Sequence, residues 1–155
     1  MELNPVTDTQ VVVTGPGDGE LIDLGPATIR ILEDGSTTGH RLGIAEIVLT
    51  PHSEGPPQHR HAEHDEGFYV TSGIARFTVG DTDYDAPAGT LVMVPPGAPH
   101  TFANPGEEPL VMINTFTPDL YVQYFRDLRS MIEGGVPATP DAVVAVMRRY
   151  ATEPA

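Results

Sequence analysis

The stretch from residue 55 to residue 104 constrains this chain most, because it combines closely spaced histidines with glycines and prolines at turn positions. It contains four side chains suited to metal binding: His59, His61, Glu66 and His100. The first part, 55–73, is separated from the second part, 89–104, by fifteen residues. That separation has the length of one β-hairpin.

The spacing of these four side chains predicts that they converge. His59 and His61 are two residues apart, so both imidazoles project from the same face of an extended segment. Glu66 precedes the apolar run 68–70 and would enter the next strand. His100 follows the run 95–99, which holds three prolines and a glycine and predicts a tight turn before another strand. Three imidazoles and one carboxylate suit a divalent ion of Fe, Mn, Co, Ni, Cu or Zn, with coordination positions left open.

The two parts resemble the two motifs of the cupin family. The second part matches Gly-x5-Pro-x-Gly-x2-His-x3-Asn at every position: Gly89, Pro95, Gly97, His100 and Asn104. The first part resembles Gly-x5-His-x-His-x3–4-Glu-x6-Gly through His59, His61, Glu66 and Gly73. It departs from that pattern at Gly55, which three residues rather than five separate from His59. The resemblance implies an all-β fold, a double-stranded β-helix or jelly-roll barrel with the metal inside.

Alternatives exist for the site residues. Asp65 competes with Glu66 as the fourth ligand, but the six-residue spacing to Gly73 favours Glu66. The remaining histidines, His40, His52 and His64, are interpreted as solvated polar residues without a role.

Composition excludes several function classes. The chain of 155 residues has a formal net charge of −14, and its eight basic residues are all arginines. Such an acidic surface repels phosphate backbones and anionic bilayers, so we expect neither nucleic-acid nor membrane partners. The absence of lysine and cysteine excludes Schiff-base and thiol chemistry. The first residues resemble no signal peptide and no apolar run approaches a membrane span, so a cytoplasmic location is expected.

The order of apolar runs predicts one domain, 1–155, with a barrel core at about 40–117 and a C-terminal helical segment at 118–151. Residues 1–10 are expected to be loose, and 11–13 to form a short strand. Later runs predict strands at 21–24, 28–32, 42–50, 91–94 and 110–117, and a hairpin at 75–85 around Gly80-Asp81. The run 91–94 is apolar on both faces and predicts a buried strand. Glu46 is expected to be solvated or paired with an arginine, with a place in the cavity wall as the alternative. Arg76 is expected to pair with a carboxylate.

Two C-terminal helices are predicted. The first spans about 120–132, ends at Gly134-Gly135 and carries Tyr121, Tyr124 and Phe125 on its apolar face. It covers the barrel, and as a sharper alternative those three aromatic residues close the mouth of the pocket. The second helix starts with Thr139 as N-cap and Pro140 at its first position.

The turn at Thr38-Gly39, the Pro-rich entry to His59, the run 65–70 and the helix after Pro118 resemble bacterial quercetin 2,3-dioxygenase-like cupins. That resemblance implies metal-dependent cleavage of a flavonol ring by O₂. It assigns His59, His61, Glu66 and His100 as metal ligands, with Glu66 doubling as general base. An apolar pocket would favour a hydrophobic or aromatic, enolisable substrate. The candidates for its walls are Phe68, Phe77, Met93, Phe102, Met112 and Phe116, each of which also suits core packing.

Two other function classes fit the same residues. One is a metal-dependent isomerase, lyase or decarboxylase, and the other is a non-catalytic barrel that binds a small molecule. The resemblance also implies a homodimer, with the N-terminal strands as the exchange surface.

Overall fold

β-Strands account for most of the regular structure, in a computed structural model that describes residues 10–155. The strands are β1 (Glu20–Asp23), β2 (Ala27–Glu33), β3 (Gly43–Leu49), β4 (Ser53–Glu54), β5 (His59–His61), β6 (Asp65–Ser72), β7 (Ile74–Val79), β8 (Thr82–Pro87), β9 (Leu91–Val94), β10 (Thr101–Asn104), β11 (Leu110–Thr117) and β12 (Thr152–Pro154). Two α-helices follow β11: α1 (Val122–Glu133) and α2 (Pro140–Met147). The expectation for residues 1–9 lies outside the described part of the chain.

Two antiparallel sheets enclose the core. The larger has the strand order β1-β2-β3-β11-β6-β9, and the smaller has the order β4-β10-β7-β8. β3 and β11 alternate strictly between buried and half-buried residues, because their inward faces pack between the sheets. This arrangement is a jelly roll with two C-terminal helices, and the predicted fold class is confirmed.

Several local predictions are confirmed. β7 and β8 form the expected hairpin around Gly80-Asp81, and Arg76 pairs with Asp85 at 3.0 Å. Glu46 pairs with Arg30 on the neighbouring strand at 3.2 Å. β1 and β2 extend the six-stranded sheet.

One predicted strand is absent, and the predicted burial of another is wrong. Residues 11–13 form no strand, and their valine side chains are exposed because no neighbouring strand pairs with them in the described chain. β9 is an edge strand that pairs only with β6, and Leu91 and Met93 are more than half exposed. An apolar run does not reveal whether another layer covers both of its faces.

Backbone packing explains why a glycine stands at position 55. The Gly55 N–H donates to the Phe102 carbonyl oxygen at 2.9 Å. A Cβ atom at this position would lie 2.5 Å from the same oxygen, which is closer than Cβ atoms approach other atoms in proteins. The loop from β4 to β5 can therefore lie flat against β10, and this contact positions His59.

Both predicted C-terminal helices are present. A 3-10 turn at Asp119–Tyr121 leads into α1, which ends at Glu133 with Gly134 as its C-cap. The Thr139 hydroxyl caps α2 by accepting from the Ala142 N–H. Within residues 10–155 there is no helix with the length and apolarity required to cross a membrane.

Candidate metal centre

Four side chains from three parts of the fold meet between the sheets. His59 and His61 lie on β5, Glu66 lies on β6, and His100 precedes β10. One potential ligand atom from each of the four lies within 4.8 Å of all the others. Each residue is at most 3% exposed. Asp65, the alternative to Glu66, is exposed and outside this group.

Backbone pairing brings the two motifs together. The His59 N–H donates to the His100 carbonyl oxygen at 3.1 Å, and the His100 N–H donates to the His59 carbonyl oxygen at 2.9 Å. The Gly97 N–H also donates to the His61 carbonyl oxygen. The turn before His100 is therefore attached directly to β5, which explains why two distant motifs build one site.

Glu66 is the centre of the cluster. Its Oε2 atom lies 2.8 Å from His61 Nε2 and 3.1 Å from His100 Nε2. Its other carboxylate oxygen, Oε1, accepts a hydrogen bond of 3.1 Å from the Asn114 amide on β11. The carboxylate is thus oriented by contacts on both of its oxygens.

Two of the three imidazoles are held from behind by carbonyl groups two residues earlier. His59 Nδ1 lies 2.7 Å from the Pro57 carbonyl oxygen, and His100 Nδ1 lies 3.0 Å from the Ala98 carbonyl oxygen. A carbonyl oxygen can only accept, so each Nδ1 carries the proton. The Nε2 atom of a neutral ring then carries the free lone pair.

The third imidazole is held from much further along the chain. His61 Nδ1 lies 2.8 Å from the Thr152 hydroxyl oxygen on β12. That hydroxyl donates its own hydrogen to the Tyr150 carbonyl oxygen at 3.0 Å, so it accepts from His61 Nδ1–H. Nε2 of His61 therefore also presents a lone pair to the cluster.

The donor set fits a single divalent ion. With all three rings neutral, three Nε2 lone pairs and a carboxylate face one another in a buried space. Such an arrangement requires a positive charge at its centre, either a bound cation or protons on the rings. A metal satisfies all four groups at once and suits the preference of first-row divalent ions for imidazole and carboxylate ligands.

Without a metal, protons on the rings supply the positive charge of the cluster. Burial raises the pKa of Glu66, but the hydrogen bonds from His100 and His61 outweigh it and lower the pKa below its ordinary value. Burial and the neighbouring His100 lower the pKa of His59 to about 4, so its ring is neutral at pH 7. Burial opposes the charged form of His100 too, yet Glu66 raises its pKa.

The interpretation of His64 as a solvated residue is wrong. Its ring is 1% exposed and its centroid lies 4.2 Å from that of His61. Neither ring nitrogen has a hydrogen-bond partner among the described residues. Burial, and then His61, lower its pKa to about 4, so the ring stays neutral. His40 and His52 are exposed and pair with Asp119 and Glu107, respectively.

A cavity of about 250 Å³ opens beside the cluster. Its polar lining comes from Glu54, His59, Glu66, Asn114 and the tyrosines at 121 and 124. The rest of the wall is apolar and comes from both the sheet and the helices: Leu24, Pro26, Ala27, Ile29, Ile47, Gly55, Pro56, Phe68, Phe102, Phe125, Leu128, Ile132, Ala138 and Val143.

The predicted wall residues divide into two groups. Phe68 and Phe102 line the cavity, whereas Phe77 packs in the core and Met93 is exposed at the sheet edge. Met112 and Phe116 also lie in the core, away from the cavity.

Helix α1 and the turn before it form one side of the cavity. Tyr121, Tyr124 and Phe125 all line it. That they close its mouth stays a prediction. The rings of Tyr121 and Tyr124 stack with centroids 4.3 Å apart. Burial raises the pKa of both phenols, which therefore remain protonated.

Sequence reasoning missed Asn114 and Thr152. Asn114 lies within the predicted strand 110–117, where an amide on the same face as Met112 and Phe116 signals a buried polar contact. Thr152 lies 91 residues from its partner His61, and no local pattern reveals that contact.

Comparison with known proteins agrees with the fold and the motifs. Residues 45–116 match the family model described as Cupin domain. Residues 45–116 therefore form a cupin domain.

A curated relative is mannose-1-phosphate guanylyltransferase 2 of Escherichia coli O157:H7, 31% identical over 56% of this chain. This chain spans only 18% of that enzyme. An RmlC-like cupin from Shewanella frigidimarina superposes with a TM-score of 0.58 at 26% identity, covering 72% of this chain and 95% of the other.

A sugar phosphate isomerase of the cupin superfamily from Silicibacter pomeroyi superposes with a TM-score of 0.55 at 23% identity. The match covers 61% of this chain and 60% of the isomerase chain. This likeness shows the shared fold.

Proposed function

We propose that this cupin is a divalent-metal-dependent dioxygenase acting on a small, apolar, enolisable aromatic substrate. The observation that carries the proposal is the buried cluster of His59, His61, Glu66 and His100 at the wall of an apolar cavity. A metal site that served only to stabilise the fold would not need an adjoining cavity. A metal with open positions facing that cavity would reach a bound molecule.

In this proposal the three imidazoles and Glu66 are the metal ligands. A bound divalent ion would supply Lewis acidity toward an enol or hydroxyl oxygen of the substrate. Glu66 doubles as general base, since its carboxylate lines the cavity and could accept a proton from that oxygen. The hydrogen bond from Asn114 holds the carboxylate in position for both roles.

The cavity supports the choice of substrate class. The apolar wall includes Phe68, Phe102 and Phe125, which offer ring faces and edges to a flat aromatic molecule. No arginine is present in the described lining, and the sequence contains no lysine. Apart from the metal ion itself, an anion such as a sugar phosphate would enter without a countercharge, so a neutral substrate fits this lining better.

A metal-dependent isomerase is the second candidate, because the same buried cluster beside a cavity supports it. The same ligands and base could move a proton between neighbouring carbons without O₂. Consumption of O₂ during turnover separates the two candidates.

The first test is metal content. Protein is loaded without O₂ with Fe, Mn, Co, Ni, Cu or Zn, and metal per chain is measured by elemental mass spectrometry. We expect close to one ion per chain, lost in His61→Ala and in His100→Ala. His52→Asn, at an exposed histidine, is the matched control and should retain the ion. Failure of the unmodified chain to bind any ion would overturn the proposal.

The second test is O₂ uptake by each loaded form with flavonols and smaller enolisable aromatics. Uptake in proportion to substrate consumed supports a dioxygenase. Substrate conversion without uptake supports the isomerase class instead, and binding without conversion supports the non-catalytic alternative.

A homodimer remains a prediction of the resemblance. β1 lies at the edge of its sheet with Leu21 exposed, and the exposed valines at 11–13 lie nearby in the chain. Light scattering coupled to size-exclusion chromatography would give the mass in solution, and a monomer would contradict the prediction.

A further inference from the structure

We propose that the side-chain oxygen of Asn114 is the acceptor for a hydroxyl group of an uncharged ligand bound beside the metal centre. The inference rests on the proposed function and deepens it, since it specifies the ligand as a neutral molecule with a free hydroxyl.

The hydrogen bonds of Asn114 determine which way its amide faces. Its Nδ2 group donates to Glu66 Oε1 at 3.1 Å and to the Gly67 carbonyl oxygen at 2.9 Å. A carboxylate and a carbonyl can only accept, so the amide nitrogen must lie on this side. Rotating the amide by 180° would place three oxygens together without a hydrogen between them. The oxygen Oδ1 therefore faces away from Glu66.

That oxygen is a buried acceptor with nothing to accept. Asn114 is 1% exposed, and its Oδ1 has no hydrogen-bond partner among residues 10–155. An unpaired buried polar atom costs about 1–3 kcal/mol, and native proteins rarely leave one without a reason. Asn114 also lines the cavity together with His59 and Glu66. A ligand with a hydroxyl next to its metal-facing oxygen would satisfy Oδ1.

The lining disfavours ligands that carry a charged group. An ammonium or guanidinium group would meet the carboxylates of Glu54 and Glu66, but it would also approach the bound divalent cation and lose its hydration in a largely apolar wall. A ligand carboxylate or phosphate lacks a cationic side chain to pair with in the described lining. The volume of about 250 Å³ lies slightly below the usual range for drug-sized ligands and suits one or two rings. A neutral hydroxyl-bearing aromatic fits all three constraints.

A binding experiment tests the hydroxyl contact without any oxygen chemistry. The protein is loaded with Zn²⁺, which is not redox-active, and titrated calorimetrically in the absence of O₂. Catechol carries two neighbouring hydroxyls, and guaiacol has one of them methylated. We expect catechol to bind at least about tenfold more tightly, because guaiacol leaves Oδ1 unpaired.

The same pair is then titrated into Asn114→Leu at saturating zinc. Catechol can also gain affinity by chelation, and that part of its preference does not depend on Asn114. The double-mutant comparison isolates the contribution of Oδ1. A fall of about fivefold or more in the preference for catechol supports the inference, and a smaller change overturns it. Asn114→Ala replaces Asn114→Leu if the latter does not fold, and Asn114→Gln should recover part of the preference.

Charge selection is tested with protocatechuate, which is catechol with an added carboxylate. We expect at least about tenfold weaker binding than catechol, and equal binding would overturn the assignment to uncharged ligands. Failure of catechol to bind at millimolar concentration would overturn it as well. Metal content and O₂ uptake remain independent measurements, so the proposed function can survive or fail separately.

Discussion

Two regions hold the imidazoles of the metal centre, and they do so in different ways. The motif loops hold His59 and His100 through backbone carbonyls only two residues away. The C-terminal segment holds His61 through the side chain of Thr152, on a strand that pairs with β5. The first arrangement is local and is encoded within the motifs. The second depends on tertiary structure, so removing one side chain can break it.

Removing the C-terminal strand β12, which supports His61, should have the largest effect on metal affinity. A variant ending at Tyr150 loses the acceptor for His61 Nδ1 and uncovers β5. We expect metal affinity to fall by more than about 100-fold, beyond the usual effect of one supporting contact. Competition with a chromophoric chelator measures it. A variant ending at Glu153 keeps Thr152 and is the matched control; equal losses in both would show that Thr152 is not the reason.

Thr152→Val tests the hydroxyl alone. The side chain keeps its shape, but His61 Nδ1–H loses its acceptor and the ring loses its fixed orientation. We expect metal affinity to fall by about 10–100-fold. Thr152→Ser should bind nearly as well as the unmodified protein. An unchanged affinity in the valine variant would remove the proposed role of this contact.

In the motif loops, by contrast, a substitution that strains the backbone should weaken metal binding. Gly97 has φ of +87° in the turn before His100, and its N–H binds the His61 carbonyl oxygen. Gly97→Ala should cost about 1–2 kcal/mol in the free energy of unfolding and weaken metal binding several-fold. Gly80 has φ of +65° in the distant β7–β8 turn. Gly80→Ala should cost similar stability without changing metal affinity, and parallel changes in both variants would argue against a specific effect.

The smallest effect is expected where α1 contacts the sheet at a distance from the metal. Arg126 pairs with Glu20 at 2.9 Å and with Asp34 at 3.0 Å. Arg126→Gln should lower the free energy of unfolding by about 1 kcal/mol or less, since these groups are partly exposed, and leave metal affinity unchanged. Chemical denaturation and chelator competition check the two expectations. A large loss of metal would show that α1 influences the ligands.

Asp34, one of the two partners of Arg126, predicts a pH dependence of the folding stability. The hydrogen bond from Ser36, and further bonds that include one from Arg126, lower the pKa of Asp34 from 3.8 to about 2. The Asp34 carboxylate therefore binds a proton less readily in the folded state than in the unfolded chain. Its stabilising contribution is present above about pH 4 and disappears as the pH falls toward 2. Asp34→Asn should reduce the acid sensitivity in that range, measured by denaturation at several pH values. Asp81→Asn, in the exposed hairpin turn, should not.

The sequence predicted the parts that depend on local pattern. Alternation identified β3 and β11, Gly80-Asp81 identified the hairpin, and Thr139-Pro140 identified the start of α2. The motif spacing selected Glu66 over Asp65, and the structure groups Glu66 with the three histidines.

Features that depend on tertiary neighbours could not be predicted from the sequence. Whether an apolar run such as β9 is covered depends on the layer opposite, which its own residues do not encode. Likewise His64 is polar by type but buried, because Phe116 and Tyr121 from β11 and the following turn lie beside it. Thr152 acts from a strand with only three residues, too short for any periodicity.

The cation-free lining of the cavity also has a consequence for its selectivity. A neutral molecule enters without an electrostatic penalty, whereas an anion faces the carboxylates of Glu54 and Glu66 and finds no countercharge on the described walls. An anion would therefore depend on the metal centre alone for its countercharge.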